Sequence, residues 1–265
     1  MLSGVEDGLS LLVSNARDLV GCGFYSDPAT RSGRSADDTA PSLTLALGEH
    51  PSFPILAEVK LASPTAGRLG PHLAQELIDE YARGGAAALS VITEPRYFKG
   101  SLRYLELAAR TGLPVMMKDF VVDGEQVEAA ARLGASAILL IEGIFERGLA
   151  SQRDDLIEKA HGLGMEVVLE ASNLEEVRGA LTSKADILAY NQRDLRTFRR
   201  GPDAMGEALR LIGADGRPAM AMSMMDTKED VCRARDLGAS CVLIGSALSG
   251  SPSPRDMLLS LKVGR

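Results

Sequence analysis

The chain contains no tryptophan, and aromatic residues make up only 4% of its 265 positions. Its core must therefore be built mainly from the aliphatic side chains that dominate the 45% hydrophobic share. Cysteine is also scarce: Cys22, Cys232 and Cys241 show no Cys-x-x-Cys spacing and have no histidine nearby. This pattern excludes a disulfide framework and a zinc site, and it favours a reducing cytoplasm.

Long apolar runs and blocks of basic residues are missing as well. The N-terminus carries Glu6 and Asp7 and lacks a basic region followed by an apolar stretch, so we expect neither a secretory signal nor a membrane partner. A formal net charge of −7 without a basic block argues against nucleic acid as a partner. An acidic metabolite remains a suitable ligand, because a few local lysines and backbone N–H groups decide its binding.

What the chain does contain, from residue 55 onward, is a regular alternation of short apolar runs and helical segments. The apolar runs predict strands over 55–60, 87–93, 114–120, 136–142, 166–172, 185–191, 218–223 and 240–246. The segments between and after them predict helices over 73–84, 101–111, 123–133, 153–163, 173–183, 202–213, 227–237 and 254–263.

Eight strand–helix pairs predict an α/β fold, a (β/α)₈ barrel over residues 51–265, with the active site at the carboxyl ends of the strands. Residues 1–50 are expected to form an N-terminal extension, with a helix over 8–20 and a polar loop over 26–42. An open doubly wound sheet is the alternative, although no Gly-x-Gly-x-x-Gly follows the first strand.

Four charged residues stand where strand-like runs end: Glu58, Lys60, Lys118 and Glu170. Glu58 and Lys60 are two apart on the first strand, so their side chains point to the same side. Charges crowded at strand ends are costly to desolvate without partners. Each alone could be a structural ion pair, but four together predict acid–base chemistry.

Polar residues end three further strands. Asn191 ends the sixth, where an amide can donate to and accept from a substrate, or can simply start a turn. Its neighbours Arg193 and Asp194 are interpreted as a salt bridge within the loop. The last two strands end in Ser223 and in Gly245-Ser246, which is where barrels of this kind often bind a phosphate.

The remaining candidates are interpreted as structural. We expect the three histidines on the surface, since none ends a strand. The methionines at 220, 222, 224 and 225 are interpreted as adaptable packing.

From about residue 55 to 254 the chain resembles indole-3-glycerol phosphate synthase of tryptophan biosynthesis. Several motifs in the same order and spacing carry the resemblance: Glu58-Val-Lys60-Leu-Ala-Ser63-Pro64, the segment from Leu89 to Ser101, Lys118-Asp119-Phe120, Glu170, and Asn191-Gln-Arg193-Asp194-Leu195. The resemblance implies a barrel that converts 1-(2-carboxyphenylamino)-1-deoxyribulose 5-phosphate to indole-3-glycerol phosphate, CO₂ and water, with neither a metal nor an organic cofactor.

The resemblance also implies roles for individual residues. Lys118 would be the general acid, Lys60 would serve the substrate carboxylate, and Glu170 would act in dehydration. Glu58 would orient the lysines, and Asn191 would hold polar groups of the substrate. The expected substrate-binding and phosphate-binding residues are Ser63, Ser223, Gly245, Ser246, Arg193, Phe98 and Phe120. The partner would be this small phosphorylated substrate, and the protein a monomer or homodimer.

Two departures from the family pattern stand out. Met222-Ser223-Met224-Met225 replaces the usual Glu-Ser-Gly-Ile, which removes a polar contact and a glycine. Glu142 stands where an apolar residue is typical, and we expect it to bring an extra negative charge to the mouth. These departures leave three hypotheses: an authentic synthase, a paralogue that closes a different arylamino sugar phosphate, and a non-catalytic barrel that binds a phosphorylated metabolite or a partner protein.

Overall fold

The computed structural model describes residues 7–26, 40–201 and 203–265. Eight parallel strands form a closed barrel in which each pairs with the next along the chain and the first pairs with the last. In chain order they are Ile55–Val59, Ala88–Ile92, Val115–Lys118, Ala137–Ile141, Glu166–Ala171, Ile187–Asn191, Ala219–Met222 and Cys241–Ile244. The barrel prediction is confirmed, and the doubly wound alternative is wrong.

The helix that follows each strand lies outside the barrel. These helices are Ala74–Arg83, Leu102–Ala109, Gly124–Arg132, Arg153–Gly162, Leu174–Leu181, Met205–Asp215, Lys228–Asp236 and Pro254–Leu261. Asp123, Asn173 and Thr227 cap three of them by accepting backbone N–H groups, as their side-chain chemistry predicts. The eight predicted strands and helices are therefore present, with small differences at their ends.

Alternate residues of each strand face two different hydrophobic layers. Leu56, Met116, Val168 and Met220 belong to a cluster inside the barrel, whereas the intervening residues pack against the helices in a second cluster. The interior cluster continues onto helix Gly8–Gly21 through Leu9, Leu12, Val13 and Ala16. This helix confirms the one expected over 8–20, while 27–39 of the expected polar loop lie outside the described residues.

A second N-terminal helix, Leu43–Glu49, was not predicted from the sequence. Its first turn binds the carboxylate of Glu166, the first residue of the fifth barrel strand. This carboxylate accepts from the Leu43 N–H at 2.6 Å and from the Thr44 N–H at 3.0 Å. A carboxylate at a helix N-terminus is favourable because the first N–H groups lack partners. At the far end of this helix, Arg265 donates to the Leu47 carbonyl at 2.6 Å. The division of the chain at residue 50 stays a prediction.

Short helices and a hairpin follow several of the barrel strands. Helix Glu142–Glu146 follows the fourth strand directly, and helix Ser246–Ser249 follows the eighth. A two-stranded hairpin, Ala62–Ser63 and Gly67–Arg68, follows the first. A 3₁₀ turn, Phe24–Ser26, packs beside the third unit of the barrel, where Ser26 donates to Glu125. Within the described chain, no helix has the length and hydrophobicity needed to cross a membrane.

Candidate active site

A cavity lies at the carboxyl ends of the strands. It is lined by eleven of the twelve residues singled out in the sequence: Glu58, Lys60, Ser63, Phe98, Lys118, Phe120, Asn191, Arg193, Ser223, Gly245 and Ser246. The twelfth, Glu170, is hydrogen-bonded to Asn191 and is 1% exposed. The barrel thus brings together residues that are up to 188 positions apart (246 − 58) in the sequence.

Glu58 bridges the two lysines of the cavity. It is 2% exposed, with Oε1 2.7 Å from Lys60 Nζ and Oε2 3.6 Å from Lys118 Nζ. Glu58 and Lys60 face the interior because they follow the same alternation as Leu56. A buried carboxylate with a cation on each oxygen is held firmly, since losing either partner would leave a charge uncompensated.

Gly245 makes room for this ion cluster. A Cβ added at Gly245 would lie 2.2 Å from Glu58 Oε1 and 2.9 Å from Lys60 Nζ, closer than real contacts allow. The glycine at the end of the eighth strand is therefore required by close packing, because any side chain there would displace the Glu58–Lys60 pair.

A network of hydrogen bonds joins the ends of the fifth, sixth and seventh strands at the cavity. The Asn191 Nδ2 donates to Glu170 Oε1 at 2.8 Å, and Asn191 Oδ1 accepts from Ser223 Oγ at 2.7 Å and from the Arg193 N–H at 2.9 Å. These partners fix which way the amide faces. The other oxygen of Glu170, Oε2, is buried and has no donor among the described residues.

Burial and neighbouring charges shift the pKa values of Glu58, Lys118 and Glu170 in different ways. Burial opposes the ionised form of Glu58, but Lys60 and Lys118 outweigh it and lower its pKa. Burial likewise opposes the ammonium of Lys118, but Glu58 and Glu170 outweigh it and raise its pKa. Burial raises the pKa of Glu170 in spite of Lys118 and Asn191. The site thus combines an ammonium group that its carboxylate neighbours keep protonated with a carboxyl group that can hold a proton.

Aromatic side chains form an apolar wall beside these charges. The rings of Phe98 and Phe120 lie 6.0 Å apart between centroids and are tilted by 37°. Phe198 lines the cavity from the loop after the sixth strand. An aromatic ring of a ligand would be accommodated here, next to ammonium groups that can bind its anionic substituents.

Two details of the sequence interpretation are wrong. Glu142 does not face the cavity: its Oε1 pairs with Arg153 at 2.8 Å, behind the barrel wall, while the preceding Ile141 lines the cavity. Asp194 does not pair with Arg193 either, because its carboxylate binds Arg196 at 3.2 Å. Arg193 instead lines the cavity as a cation without a described salt bridge, which agrees with its place among the expected binding residues.

Two buried carboxylates beside the site were not among the candidate residues identified from the sequence. Asp119, at the cavity wall, accepts from Thr93 Oγ1, Tyr25 Oη and the Phe120 N–H. Glu94, behind the loop that carries Phe98, accepts several N–H groups. The available signal was an acidic residue beside the end of an apolar strand, the same signal that identified Glu58 and Glu170.

The seventh strand ends in an unusual backbone conformation. Ser223 and Met224 have φ angles of 66° and 54°, in the left-handed region that favours glycine. Met224 lines the cavity and is half-buried. The chain therefore keeps, with a methionine, a conformation that a glycine would adopt without strain.

We expect Met224→Gly to be more stable than the matched control Met224→Ala by about 1 kcal/mol, because both remove the side chain but only glycine adopts positive φ freely. Urea unfolding of the two variants measures the difference. If alanine were the more stable, as at an ordinary loop position, the strain would be refuted.

Asp119 should make stability depend on pH. Burial raises its pKa to about 6, against hydrogen bonds from Thr93 and Phe120. Because the folded carboxyl binds its proton more tightly than the unfolded one, its contribution to stability decreases as pH rises through about 4 to 6. Relative to Asp119→Asn, the wild type should lose about 2 kcal/mol of unfolding free energy between about pH 4.5 and about pH 7.5. Parallel curves for the two proteins in urea unfolding would contradict this.

Within the described residues, no cluster of three or more histidine, cysteine, aspartate or glutamate side chains has a geometry suited to a metal ion. Besides the carboxylates of Glu58, Asp119 and Asp226, the cavity is lined by lysines, an arginine, an amide and hydroxyls, which suit an anionic organic ligand. A closed parallel barrel with such groups at its strand ends belongs to the class of (β/α)₈ barrel enzymes.

Within that class, the chain belongs to the indole-3-glycerol phosphate synthase family, whose family model matches residues 30–261. It is 40% identical over 203 residues to the indole-3-glycerol phosphate synthase of Carboxydothermus hydrogenoformans, covering 76% of this chain and 75% of that protein. It is 34% identical over 260 residues to the synthase of Burkholderia cenocepacia, covering 96% and 98%. The resemblance drawn from the motifs is confirmed.

Solved structures extend the likeness of the fold. The N-acetylmannosamine-6-phosphate 2-epimerase of Clostridium perfringens superposes with a TM-score of 0.61 at 16% identity, covering 81% of this chain and 93% of that one. The thiamine phosphate pyrophosphorylase of Pyrococcus furiosus gives 0.59 at 16% identity, covering 80% and 94%. At these identities the similarity concerns the barrel alone.

Proposed function

We propose that the protein is an indole-3-glycerol phosphate synthase that converts 1-(2-carboxyphenylamino)-1-deoxyribulose 5-phosphate to indole-3-glycerol phosphate, CO₂ and water. The observation that carries the proposal is the Glu58-bridged lysine pair, which shares one cavity with an aromatic wall. The first step joins an anthranilate ring carbon to the ketone carbon, and a proton must reach the ketone oxygen as the bond forms. Family membership supports this reaction, and the comparisons favour neither alternative hypothesis.

Lys118 supplies that proton as the general acid. Its ammonium group lines the cavity, and Glu58 and Glu170 keep it protonated by raising its pKa. After ring closure, the iminium of the substrate withdraws the electrons released when CO₂ leaves. The substrate itself therefore provides the electron sink, and the proposal requires neither a metal nor an organic cofactor.

Lys60 and Glu58 serve the substrate carboxylate. Lys60 Nζ is held by Glu58 Oε1, so its remaining N–H donors can point into the cavity. A cation beside the carboxylate binds the substrate, and the aromatic wall keeps the ring in place. Glu58 acts through the lysines as a positioning residue.

Glu170 carries the dehydration. A carboxyl group with a raised pKa can give a proton to the departing hydroxyl of the former ketone carbon and, once ionised, take one from the adjacent CH₂ carbon next to the nitrogen, so that a C=C bond forms and water leaves. Asn191 orients one oxygen of Glu170, which leaves the other, Oε2, for this exchange. The amide of Asn191 also lies at the cavity surface, where it can contact polar groups of the substrate.

The phosphate binds at the side of the cavity that Ser63, Gly245 and Ser246 share, with Ser223 and Arg193 at its edge. The segment after the hairpin packs against helix Ser246–Ser249, which supports this grouping. Gly70 lies so close to the Ser249 carbonyl oxygen that an added Cβ would be 2.4 Å from it. Backbone N–H groups at a strand end and hydroxyls suit a phosphate. Phe98 and Phe120, which follow the second and third strands, bind the aromatic ring.

An assay of the purified protein with the carboxyphenylamino-deoxyribulose phosphate tests the proposal. Indole fluorescence should develop with time, whereas a well-folded sample that produced none would refute the function. The proposal also includes a cytoplasmic location and a monomer or homodimer, which size-exclusion chromatography coupled to light scattering would decide between.

A further inference from the structure

Glu94 follows the second barrel strand and is completely buried, yet it does not line the cavity. Its carboxylate accepts four N–H groups. Oε1 accepts from the Arg96 N–H at 2.7 Å and from Asn15 Nδ2 at 3.0 Å. Oε2 accepts from the Tyr97 N–H at 2.8 Å and the Phe98 N–H at 2.9 Å. One side chain thus fixes three consecutive residues of the loop that carries Phe98.

The other end of this loop is fixed by packing. The Gly100 N–H donates to the Glu94 carbonyl at 2.8 Å, and an added Cβ at Gly100 would lie 2.4 Å from the Ile92 carbonyl oxygen. Lys99 between them has a φ of 57°. The loop therefore folds back on its own strand, and the carboxylate sets the position from which Phe98 reaches the cavity.

The fourth donor belongs to the N-terminal helix Gly8–Gly21, 79 residues away in the sequence. Asn15 is 3% exposed, so its contact with Glu94 is shielded from water. The same helix contacts the loop after the sixth strand, where the Gly8 N–H donates to the Arg196 carbonyl at 2.8 Å. An added Cβ at Gly8 would lie 2.2 Å from the Phe198 ring, which lines the cavity.

We infer that Glu94 is a positioning residue for substrate binding, and that Asn15 couples the docked N-terminal helix to the aromatic wall through it. With the helix docked, Glu94 holds the Phe98 loop in the conformation that contacts the ring of the substrate. Neither residue touches the reacting atoms. The inference rests on the proposed function only for the identity of the ligand.

Glu94→Gln tests the role with nearly unchanged shape. Whichever way the new amide turns, its NH₂ group faces two N–H donors, so half of the acceptor pattern is lost. We expect KM to rise about tenfold while kcat changes less than about threefold, because ground-state and transition-state binding are weakened together. Hydrogen exchange at the amides of residues 96–98 should accelerate by at least about tenfold.

Asn15→Ala is the second variant, since it removes one donor and leaves the carboxylate in place. It should raise KM about threefold and accelerate exchange at residues 96–98. Arg96→Ala is the matched control: it removes the exposed Asp18–Arg96 pair between the same helix and loop while keeping the backbone N–H, and it should change neither quantity.

Unchanged exchange at residues 96–98 in both Glu94→Gln and Asn15→Ala would overturn the inference, as would a fall in kcat at constant KM. If Glu94→Gln accelerates exchange throughout the barrel, Asn15→Ala decides: acceleration confined to residues 96–98 supports the inference, and any other pattern overturns it. If the wild type does not turn over the substrate, the proposed function fails, and the exchange data alone decide the positioning role.

Discussion

Lys118→Ala is expected to reduce turnover on the order of 10³-fold, because the ketone oxygen then has no positioned acid and no cation beside it. Lys118→Arg should retain substrate binding but not the rate, since an arginine keeps the charge and does not release its proton at ordinary pH. Initial rates of indole fluorescence at saturating substrate measure both effects.

A matched control for this pair is Lys184→Ala. Lys184, in the loop before the sixth strand, forms an exposed pair with Glu158 of an outer helix, and its side chain is 77% exposed. We expect its rates to equal those of the wild type. Retention of more than about one tenth of the turnover by Lys118→Ala would assign the acid to another group, because a positioned acid contributes at least about 10²-fold.

The second large effect is expected from Glu58→Gln. The change leaves two partly buried ammonium groups near one another without their carboxylate, which should cost about 3 kcal/mol of unfolding free energy. It also removes the main carboxylate that raises the pKa of Lys118. The pKa of Lys118 therefore falls, and the alkaline limb of the kcat profile moves to lower pH.

Glu106→Gln is the control that separates the expected shift of the pH profile from the expected loss of stability. Glu106 is also buried, 4% exposed, and is bound by Arg103 and Arg110 far from the cavity. Its substitution should lower stability without moving the pH profile. An alkaline limb at the same pH in Glu58→Gln and the wild type would show that Glu58 does not control the protonation of Lys118.

Local sequence signals predicted the barrel, and they predicted that most of the candidate residues would meet at one cavity, for physical reasons. Strands buried on both faces require apolar runs, and helices require caps such as Asp123 and Thr227, so both are visible in short windows of sequence. Glu58 and Lys118 were found because charges at the ends of such runs need partners. Parallel strands then bring them to the same mouth.

The wrong or missing predictions concern features that depend on a shift of one residue along a strand or on a contact between residues far apart in the sequence. Glu142 lies one position beyond Ile141, and the alternation that turns Ile141 into the cavity turns Glu142 towards Arg153. Helix Leu43–Glu49 depends on Glu166, more than 120 residues away. No short window contains both partners, so local periodicity could not predict where the N-terminal helices bind.

The contacts of helix Leu43–Glu49 also constrain the order of events during synthesis. Helix Leu43–Glu49 is translated well before Glu166, and Arg265, which donates to the Leu47 carbonyl, is translated later still. Such long-range closure is slow, because the intervening chain must be ordered first. This helix is therefore made before either of its two partners, and its attachment to the barrel must wait until both later segments have been translated.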